Sequence, residues 1–251
     1  MSTLQGKRAV VTGAASGIGR ATAELMAELG ALVAVVDRDE AGAKAVAEGL
    51  DGTGHIAVAT DVASAADCER AVEAAAGAFG GLDILVNNAG IIRRSTVLDI
   101  TEDDWDLVMA VNVKSVMLMS RFAIPHLVAA GGGSIVNTGS GWGIKGGGQA
   151  VSYCASKGAV VNLTRAMAID HGPDKIRVNC VCPGDTATGM LAEEARQLGE
   201  SPDAFYAEAA DRPLRRIGQP RDIAEAIAYL AGDGAAFVSG AVLTVDGAGT
   251  A

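Results

Sequence analysis

The feature of this sequence that most constrains its fold is the regular alternation of short apolar runs with longer segments of helical character. Runs rich in Val, Ile, Leu and Ala predict strands over residues 8–12, 31–37, 55–60, 84–87, 134–138, 176–181 and 241–245. The segments between them predict helices over residues 18–29, 39–50, 64–79, 102–129, 150–171 and 220–231. Apolar strands separated by helices are typical of a parallel sheet with both faces covered. Because such crossovers are right-handed, we expect a doubly wound α/β fold.

One long segment, residues 184–219, has no predicted strand and interrupts this alternation. It follows the sixth predicted strand, next to the edge of the sheet where an active site is expected. Long connections in compact domains are commonly functional, so the segment predicts a helical lid over a substrate; the alternative is an insertion without a role. No linker or repeat divides the chain, which predicts a single domain over residues 1–251.

The charge of the chain limits its possible partners. It carries 20 basic and 30 acidic residues, for a formal net charge of −10. Binding to nucleic acid requires a basic face, so the composition argues against such a partner. Solubility is the simplest interpretation of the acidic excess.

The cysteines and the N-terminal segment bear on the compartment. Cys68, Cys154, Cys180 and Cys182 form no C-x-x-C pair and have no cluster of histidines nearby, which predicts reduced, mostly buried thiols and no metal site. Residues 1–8 lead directly into a strand without the pattern of a signal peptide, and we identify no apolar run of membrane-spanning length. We therefore expect a cytoplasmic protein with no membrane partner.

A glycine-rich turn follows the first predicted strand. It reads Thr12-Gly13-Ala14-Ala15-Ser16-Gly17-Ile18-Gly19, with the spacing G-x-x-x-G-x-G. Glycines there allow the backbone to approach a pyrophosphate, and the N-terminus of the next helix presents free N–H groups to it. A glycine cluster alone is weak evidence in a chain with 33 glycines, but this one lies at the first strand-to-helix turn. The sequence therefore predicts a Rossmann-type dinucleotide site.

The nature of the dinucleotide is indicated by Asp37, which ends the second predicted strand. An acidic side chain at this place can accept hydrogen bonds from the ribose hydroxyls of NAD and would repel the 2′-phosphate of NADP. Arg38 is the only nearby cation that could favour the phosphate, and a turn or helix-capping role is the alternative for Asp37. We therefore expect NAD as the cofactor.

Tyr153 and Lys157 lie four residues apart on a predicted helix and so on the same face of it. Such a pair means little by itself, because the spacing is common. Its order relative to other polar positions is more specific: Asn87-Asn88-Ala89-Gly90 ends the fourth strand, Asn112 lies within the long helix, Ser140 follows the fifth strand and Pro183-Gly184 follows the sixth.

This series resembles the short-chain dehydrogenase/reductase family over essentially the whole chain. The resemblance implies a catalytic tetrad of Asn112, Ser140, Tyr153 and Lys157, with Asn112 holding a water that connects Lys157 to solvent. It implies contacts to the adenosine part of the cofactor from Asp61, Val62, Asn88, Ala89 and Gly90. It also implies that the nicotinamide is bordered by Pro183, Gly184, Thr186 and Thr188, although Thr186 and Gly189 depart from the residues that the family often has there.

The chemistry of these residue types supports that resemblance. An alcohol must lose a proton as its hydride leaves, and a tyrosine phenol is normally too weak an acid to be ionised at neutral pH. A neighbouring ammonium group and a cationic nicotinamide both favour the phenolate. Tyr153 can then act as the general base in oxidation and the general acid in reduction, while Ser140 hydrogen-bonds the reacting oxygen. Each residue also has an ordinary structural interpretation, but the four together favour catalysis.

Candidate substrate residues must lie near Ser140 and Tyr153. Trp142, Met190 and Leu191 offer apolar walls, Gln149 and Arg93 offer hydrogen bonds, and Gly141, Ile92 and Phe205 complete the candidates. Together they suggest a small secondary alcohol, polyol, sugar or cyclic ketone as the substrate.

Two other functions remain open. A ketoacyl-type reductase would prefer NADP and a basic surface for an acidic carrier protein, and Asp37 and the net charge weigh against it. A non-catalytic dinucleotide-binding protein would be expected to lack part of the tetrad. The family resemblance further implies a homotetramer, assembled through the helices that carry Asn112 and Tyr153 and through residues 238–251.

Overall fold

The structure, a computed structural model, describes residues 4–251. Residues 1–3, part of the segment in which no signal peptide was predicted, lie outside the described residues. The strands form one parallel seven-stranded sheet of order β3-β2-β1-β4-β5-β6-β7. Their bounds are β1 Arg8–Thr12, β2 Leu32–Asp37, β3 Ile56–Ala59, β4 Ile84–Asn87, β5 Gly133–Thr138, β6 Ile176–Pro183 and β7 Val242–Val245. The predicted doubly wound sheet is confirmed, and every predicted strand is present.

Nine α-helices are found within residues 4–251. They are α1 Gly17–Glu28, α2 Glu40–Gly49, α3 Ala65–Phe79, α4 Glu102–Met109, α5 Ser115–Ala129, α6 Val151–Asp170, α7 Gly189–Leu198, α8 Pro202–Ala210 and α9 Pro220–Ala231. The predicted helix over residues 102–129 differs from the others, because a π-helical turn, Ala110–Lys114, separates α4 from α5. The sequence pattern did not indicate this turn.

The two faces of the sheet bury separate hydrophobic clusters. Alternate residues of β1 contribute to each, with Ala9 and Val11 on one face and Val10 on the other. The first cluster includes side chains of α1 and α9, and the second includes side chains of α3, α5 and α6. This explains why the central strands are apolar without alternation: both of their faces are covered.

The continuous helical stretch Glu102–Ala129 is long and apolar enough to cross a membrane by length and composition alone. The expectation that no segment reaches that length is therefore wrong. In the fold, Leu118, Met119 and Ala123 of this stretch are buried in the second core cluster. Packing against the sheet accounts for its apolar composition.

The segment predicted as a lid contains two helices, α7 and α8, after the end of β6. A parallel bridge between Thr186 and Gly218 closes the base of the segment. Helix α8 packs against α7. Residues at the start of α7 therefore lie close to the carboxyl end of β6, which is where the predicted site residues gather.

Candidate active site

A cavity of about 560 Å³ follows the carboxyl edge of the sheet. The loops after β1, β2, β4, β5 and β6 all contribute to its lining. Almost all residues predicted to bind the cofactor line it: Gly13, Ser16, Gly17, Ile18, Asp37, Asp61, Val62, Asn88, Ala89, Gly90, Tyr153, Lys157, Pro183, Gly184, Thr186 and Thr188. Gly19 and Asn112 are buried and do not line it.

The glycine loop is shaped by very close backbone packing. Gly13 has a φ of +65°, and a Cβ there would lie 2.8 Å from the Cα of Ala89. A Cβ at Gly19 would overlap the carbonyl oxygen of Gly13. Gly17 also has a positive φ, +54°. Each position thus needs glycine for a steric reason, and the resulting loop brings main-chain groups to the surface of the cavity.

The N-terminus of α1 opens into this loop. Asp39, Ser64 and Thr101 cap the next three helices with side-chain hydrogen bonds, whereas the Ser16 side chain makes no such bond to α1. The first N–H groups of α1 are therefore available to an anion, and the helix dipole favours one. Together with the glycine loop, this end of the cavity fits the pyrophosphate of a dinucleotide.

Several hydrogen bonds join the glycine loop to the end of β4. The backbone N–H groups of Asn88 and Ala89 donate to Thr12 Oγ1 at 3.0 and 3.1 Å. Asn88 Nδ2 donates to the carbonyl oxygens of Thr12 and Gly13 at 3.0 and 3.2 Å. Thr12, which the sequence analysis did not single out, is thus the residue that locks two cofactor-side loops together.

Asp37 ends β2 beside the glycine loop. Its Oδ2 accepts a hydrogen bond from Ala15 N at 3.0 Å, and its Oδ1 accepts one from Asp39 N at 3.0 Å. Each carboxylate oxygen has a second lone pair, so both can still accept from a ligand. Arg38 also lines the cavity at this end. The carboxylate therefore has both a turn-stabilising role and the position expected of a ribose acceptor.

Tyr153 and Ser140 meet at the other end of the cavity. Burial raises the pKa of the Tyr153 phenol above its ordinary value, and a hydrogen bond with Ser140 opposes that shift. Ser140 Oγ also accepts a hydrogen bond from Trp142 N at 3.1 Å, which orients the hydroxyl at the end of β5. Burial therefore makes this phenol harder to ionise than an exposed one, and a nearby positive charge would favour its ionisation.

Lys157 is 3% exposed and lies under Tyr153. Its Nζ is 5.7 Å from the centre of the Tyr153 ring and donates to the carbonyl oxygen of Thr138 at 2.8 Å. Burial lowers the pKa of Lys157 from 10.5 to about 8. An ammonium held this near the phenol is suited to stabilise a phenolate.

Asn112 is 1% exposed and lies in the π-helical turn. Its Oδ1 accepts from Ile91 N at 2.8 Å, and its Nδ2 donates to Ile91 O and to Ser156 Oγ at 2.9 and 3.0 Å. Turns of this kind occur most often at functional sites. Here the turn aims the amide at the loop after β4, next to Gly90, where a Cβ would lie 3.4 Å from both Asn112 Oδ1 and Lys157 Nζ.

The predicted substrate residues divide into two groups. Arg93, Ile92, Gly141, Trp142, Met190 and Leu191 line the cavity, and the Trp142 ring meets the Tyr153 ring edge-on at 6.1 Å between centroids. Gln149 and Phe205 do not line it. Gln149 is exposed with a φ of +50°, because its carbonyl oxygen is turned to accept from Ser95 N at 2.8 Å. Phe205 lies on α8, behind α7.

Among the contacts that the sequence did not indicate is an ion pair at the cavity, formed by Arg94 and Glu194. They form a buried ion pair of 2.8 Å between the loop after β4 and α7, and Glu194 lines the cavity. No local motif marks either residue, because they are 100 positions apart. The sequence offers one signal for Glu194: it is an acidic residue in the segment that was predicted to form a lid over the substrate.

The structure also bears on metal binding and on the state of the cysteines. Between residues 4 and 251, no group of three or more His, Cys, Asp or Glu side chains is arranged to hold a metal ion. Three of the four cysteines, Cys68, Cys180 and Cys182, are buried, and none of the four forms a disulfide within the described residues.

Comparison with known proteins supports the family. A family model described as "Enoyl-(Acyl carrier protein) reductase" matches residues 13–250. An uncharacterized short-chain type dehydrogenase/reductase of Sinorhizobium fredii is 43% identical, over 97% of this chain and 97% of its own length. A cis-4-hydroxycyclohexanecarboxylate dehydrogenase of Sinomonas cyclohexanicum is 44% identical over 97% and 96%, and a meso-2,3-butanediol dehydrogenase of Serratia marcescens is 40% identical over 98% and 95%.

A solved structure agrees with these relatives. The crystal structure of a 3-ketoacyl-(acyl-carrier-protein) reductase from Brucella melitensis, complexed with NADH, matches with a TM-score of 0.90 and 38% sequence identity. The match covers 99% of this chain and 100% of that one. With the glycine loop, the sheet order and the Tyr153–Lys157 site on one cavity, the chain belongs to the short-chain dehydrogenase/reductase family and is an NAD-dependent oxidoreductase acting on CH–OH groups.

Proposed function

We propose that the chain oxidises a small secondary alcohol of the polyol, sugar or cyclic class, or reduces the matching ketone, with Tyr153 as the proton-transfer residue. The observation that carries this proposal is the placement of Tyr153, Ser140 and Lys157 at one end of a single cavity whose other end is the glycine loop. A dinucleotide bound along the cavity with its pyrophosphate at the glycine loop would bring its nicotinamide to the Tyr153 end.

In oxidation, the substrate hydroxyl gives its proton to the Tyr153 phenolate, and in reduction the phenol returns a proton to the carbonyl oxygen. Ser140 hydrogen-bonds the same oxygen and stabilises the charge that develops on it. NAD, when bound, would supply the hydride acceptor and a positively charged ring. Because burial disfavours the phenolate of Tyr153, the ammonium of Lys157 and that ring would both help to stabilise it.

Lys157 and Asn112 support this step. Lys157 holds the nicotinamide ribose and places its charge near the phenol, and Asn112 keeps the loop at Ile91 in position beside it. A water between Asn112 and Lys157 would connect the site to solvent, and Gly90 leaves room next to both groups. The proton taken up by Tyr153 would leave by this route.

The cofactor residues of this proposal are those that the family resemblance implies, and nearly all of them line the cavity. Gly13, Ser16, Gly17, Ile18 and Gly19 form the pyrophosphate cradle, with Gly19 acting through the loop conformation. Asp61 and Val62 flank the adenine, and Asn88, Ala89 and Gly90 support the adenosine side. Pro183, Gly184, Thr186 and Thr188 border the nicotinamide. Asp37 accepts the ribose hydroxyls and disfavours a 2′-phosphate.

The wider organisation is part of the same proposal. Residues 184–219 act as a substrate lid through α7, whose Met190 and Leu191 line the cavity. A homotetramer in the cytoplasm is supported by free cysteines and by apolar side chains exposed on the expected interfaces. These side chains are Leu107, Met117 and Val128 on α4 and α5, Ile169 on α6, and Phe237 and Leu243 near the C-terminal end.

A second candidate is reduction of a 3-ketoacyl thioester. It is favoured by the description of the matching family model and by the reductase from Brucella melitensis, which was solved with NADH. The net charge of −10 disfavours docking of an acidic carrier protein. The alcohol dehydrogenase is therefore the first candidate.

The test is a panel of secondary alcohols, polyols, cyclic alcohols and sugars, each assayed with NAD and with NADP by the absorbance of the reduced nucleotide. We expect turnover with NAD on one or more of these classes and a kcat/KM with NADP at least about 10-fold lower, because Asp37 faces the 2′ position. Asp37→Ser should narrow that difference. Turnover confined to acetoacetyl thioesters, or a preference for NADP, would contradict the proposal.

A further inference from the structure

We propose that the Glu194 carboxylate accepts a hydrogen bond from a second hydroxyl of the substrate, so that the enzyme prefers vicinal diols to simple secondary alcohols. This inference rests on the proposed function, because it places the reacting hydroxyl between Ser140 and Tyr153. It concerns the buried pair of Arg94 and Glu194, which the proton-transfer steps do not use.

The first step is the position of Glu194. Glu194 is only 8% exposed to solvent, yet it lines the same cavity as Tyr153. Arg94, which pairs with Glu194, lies over the Trp142 ring, and that ring meets the Tyr153 ring edge-on, so Glu194 and Tyr153 belong to one connected group of side chains. A small substrate held at Tyr153 would therefore extend toward Glu194.

The second step is the rigidity of Glu194, which comes from Arg94. Arg94 Nη1 donates to Glu194 Oε2 at 2.8 Å, and Arg94 Nη2 donates to Gly148 O at 3.1 Å. The guanidinium lies over the Trp142 ring at 4.9 Å, and Arg94 N donates to Gln197 Oε1 at 2.8 Å. These contacts join α7 to two loops of the cavity. The carboxylate is thus held in place before any ligand binds.

The third step is the unused capacity of the carboxylate. Within residues 4–251, Glu194 Oε2 accepts from Arg94, and no hydrogen bond reaches Oε1. An ionised carboxylate has only acceptor sites, so Oε1 suits a ligand that donates. Burial raises the pKa of Glu194 while Arg94 lowers it, and a further donor would stabilise the ionised form.

The charges around Glu194 select the class of donor. Arg94 already neutralises it, so the site does not need a cationic substrate. A substrate carboxylate beside Glu194 would meet a like charge, and the two arginines of the loop after β4 are already paired, Arg94 with Glu194 and Arg93 with Asp104. A neutral hydroxyl satisfies the open acceptor without either cost. The pair of Tyr153 and Ser140 would take one hydroxyl and Glu194 Oε1 the other, so the site fits a substrate with two neighbouring hydroxyls.

The experiment compares matched pairs of substrates with NAD: meso-2,3-butanediol against 2-butanol, and cis-1,2-cyclohexanediol against cyclohexanol. We expect the wild-type enzyme to have a kcat/KM at least about 10-fold higher for each diol, as a hydrogen bond to a charged group implies. Glu194→Gln keeps an oxygen for Arg94 but removes the charge. It should lower the diol-to-alcohol ratio of kcat/KM by about 10-fold, mainly through KM of the diols. A change in the pKa of Tyr153 would act on diols and simple alcohols alike and would leave that ratio unchanged.

The second variant guards against a folding defect. Arg94→Leu with Glu194→Leu removes both charges, so no unpaired charge remains buried. It should remove the diol preference while the simple alcohols remain substrates. A loss shared equally by diols and simple alcohols in both variants would mean that the pair only holds the lid, and would overturn the inference. So would a wild-type enzyme without diol preference, or one that prefers hydroxy acids.

These results are distinguishable from failure of the proposed function. Wild-type turnover of simple alcohols with NAD, without any diol preference, overturns the role of Glu194 and leaves the dehydrogenase assignment in place. Absence of NADH formation with every diol and every simple alcohol overturns both.

Discussion

The two ends of the cavity are built in different ways. At the cofactor end, the ligand-facing groups are mainly backbone groups of the turn after β1, held by Thr12, Asn88 and close glycine packing. At the substrate end they are side chains from separate parts of the chain, such as Trp142, Glu194 and Tyr153, joined by a buried ion pair and ring contacts. A backbone site depends on local conformation, whereas a side-chain site depends on how distant segments pack.

The two ends differ in how freely their side chains can change. The relatives described above act on unlike molecules according to their names. Substituting a lid or loop side chain changes the substrate end without disturbing the sheet. Gly13 and Gly19 have no such freedom, because a Cβ at either position would meet backbone atoms.

The largest effect is expected from a substitution of Tyr153, at the substrate end of the cavity. Tyr153→Phe removes the proton-transfer group and should lower kcat by about 10³-fold or more. NADH binding, measured by fluorescence titration, should change by less than about 3-fold, because the ring and its packing against Trp142 are kept. A variant that keeps near-wild-type kcat would refute the role of Tyr153 and would assign the chemistry to another group.

A smaller effect, confined to the cofactor end, is expected from Gly19→Ala. The added Cβ would overlap the Gly13 carbonyl oxygen and displace the loop, so the Kd for NADH should rise by at least about 10-fold. The matched control is Gly77→Ala on α3, where nothing lies within 4 Å of the new Cβ and stability should rise by about 0.5–1 kcal/mol. Equal NADH affinity of the Gly19→Ala and Gly77→Ala variants would mean that the glycine loop can be displaced without loss of binding.

The smallest effect concerns the stability of the nucleotide-free protein. The pKa of Lys157 is about 8 in the folded state, below the ordinary 10.5, so the unfolded state binds more protons between these values. Lys157 therefore makes stability rise with pH from about 8 to about 10.5, and below pH 8 its burial cost is present in full. Lys157→Met removes that cost and should be more stable than the wild type by about 1–3 kcal/mol at pH 7.

The measurement is urea unfolding of both proteins between pH 7 and pH 10, with the fold followed by circular dichroism. The stability difference should shrink as the pH rises toward 10, and the variant should be inactive throughout. A difference that stays constant over this range would show that packing, and not the charge of Lys157, separates the two proteins.

Much of the cofactor end was predictable from the sequence, because its signals are local. The apolar runs predict the strands, and the glycine spacing at the end of β1 predicts the turn that the structure contains. Asp37 was predicted at the end of β2 and is found there. Tyr153 and Lys157 share a helix face because they are one helical turn apart, so their juxtaposition also needs no long-range contact.

The substrate end was predicted less well, and particular residues show why. Gln149 was expected in the cavity, but a long-range backbone hydrogen bond to Ser95 turns it to the surface. Asn112 was expected in a regular helix and lies in a π-helical turn that directs its amide to Ile91. Neither change leaves a mark in the local pattern, because each depends on a partner in another segment.

The sequence by itself thus determined the parallel sheet, the glycine turn, the acidic end of β2 and the Tyr153–Lys157 pair, all through periodicity and short spacings. Only the tertiary structure decided the surroundings of Tyr153, including the lowered pKa of Lys157 and the contact of Arg94 with Glu194 across 100 residues. The physical reason is that burial and ion pairing depend on the three-dimensional neighbours of a side chain, which periodicity along the chain does not specify.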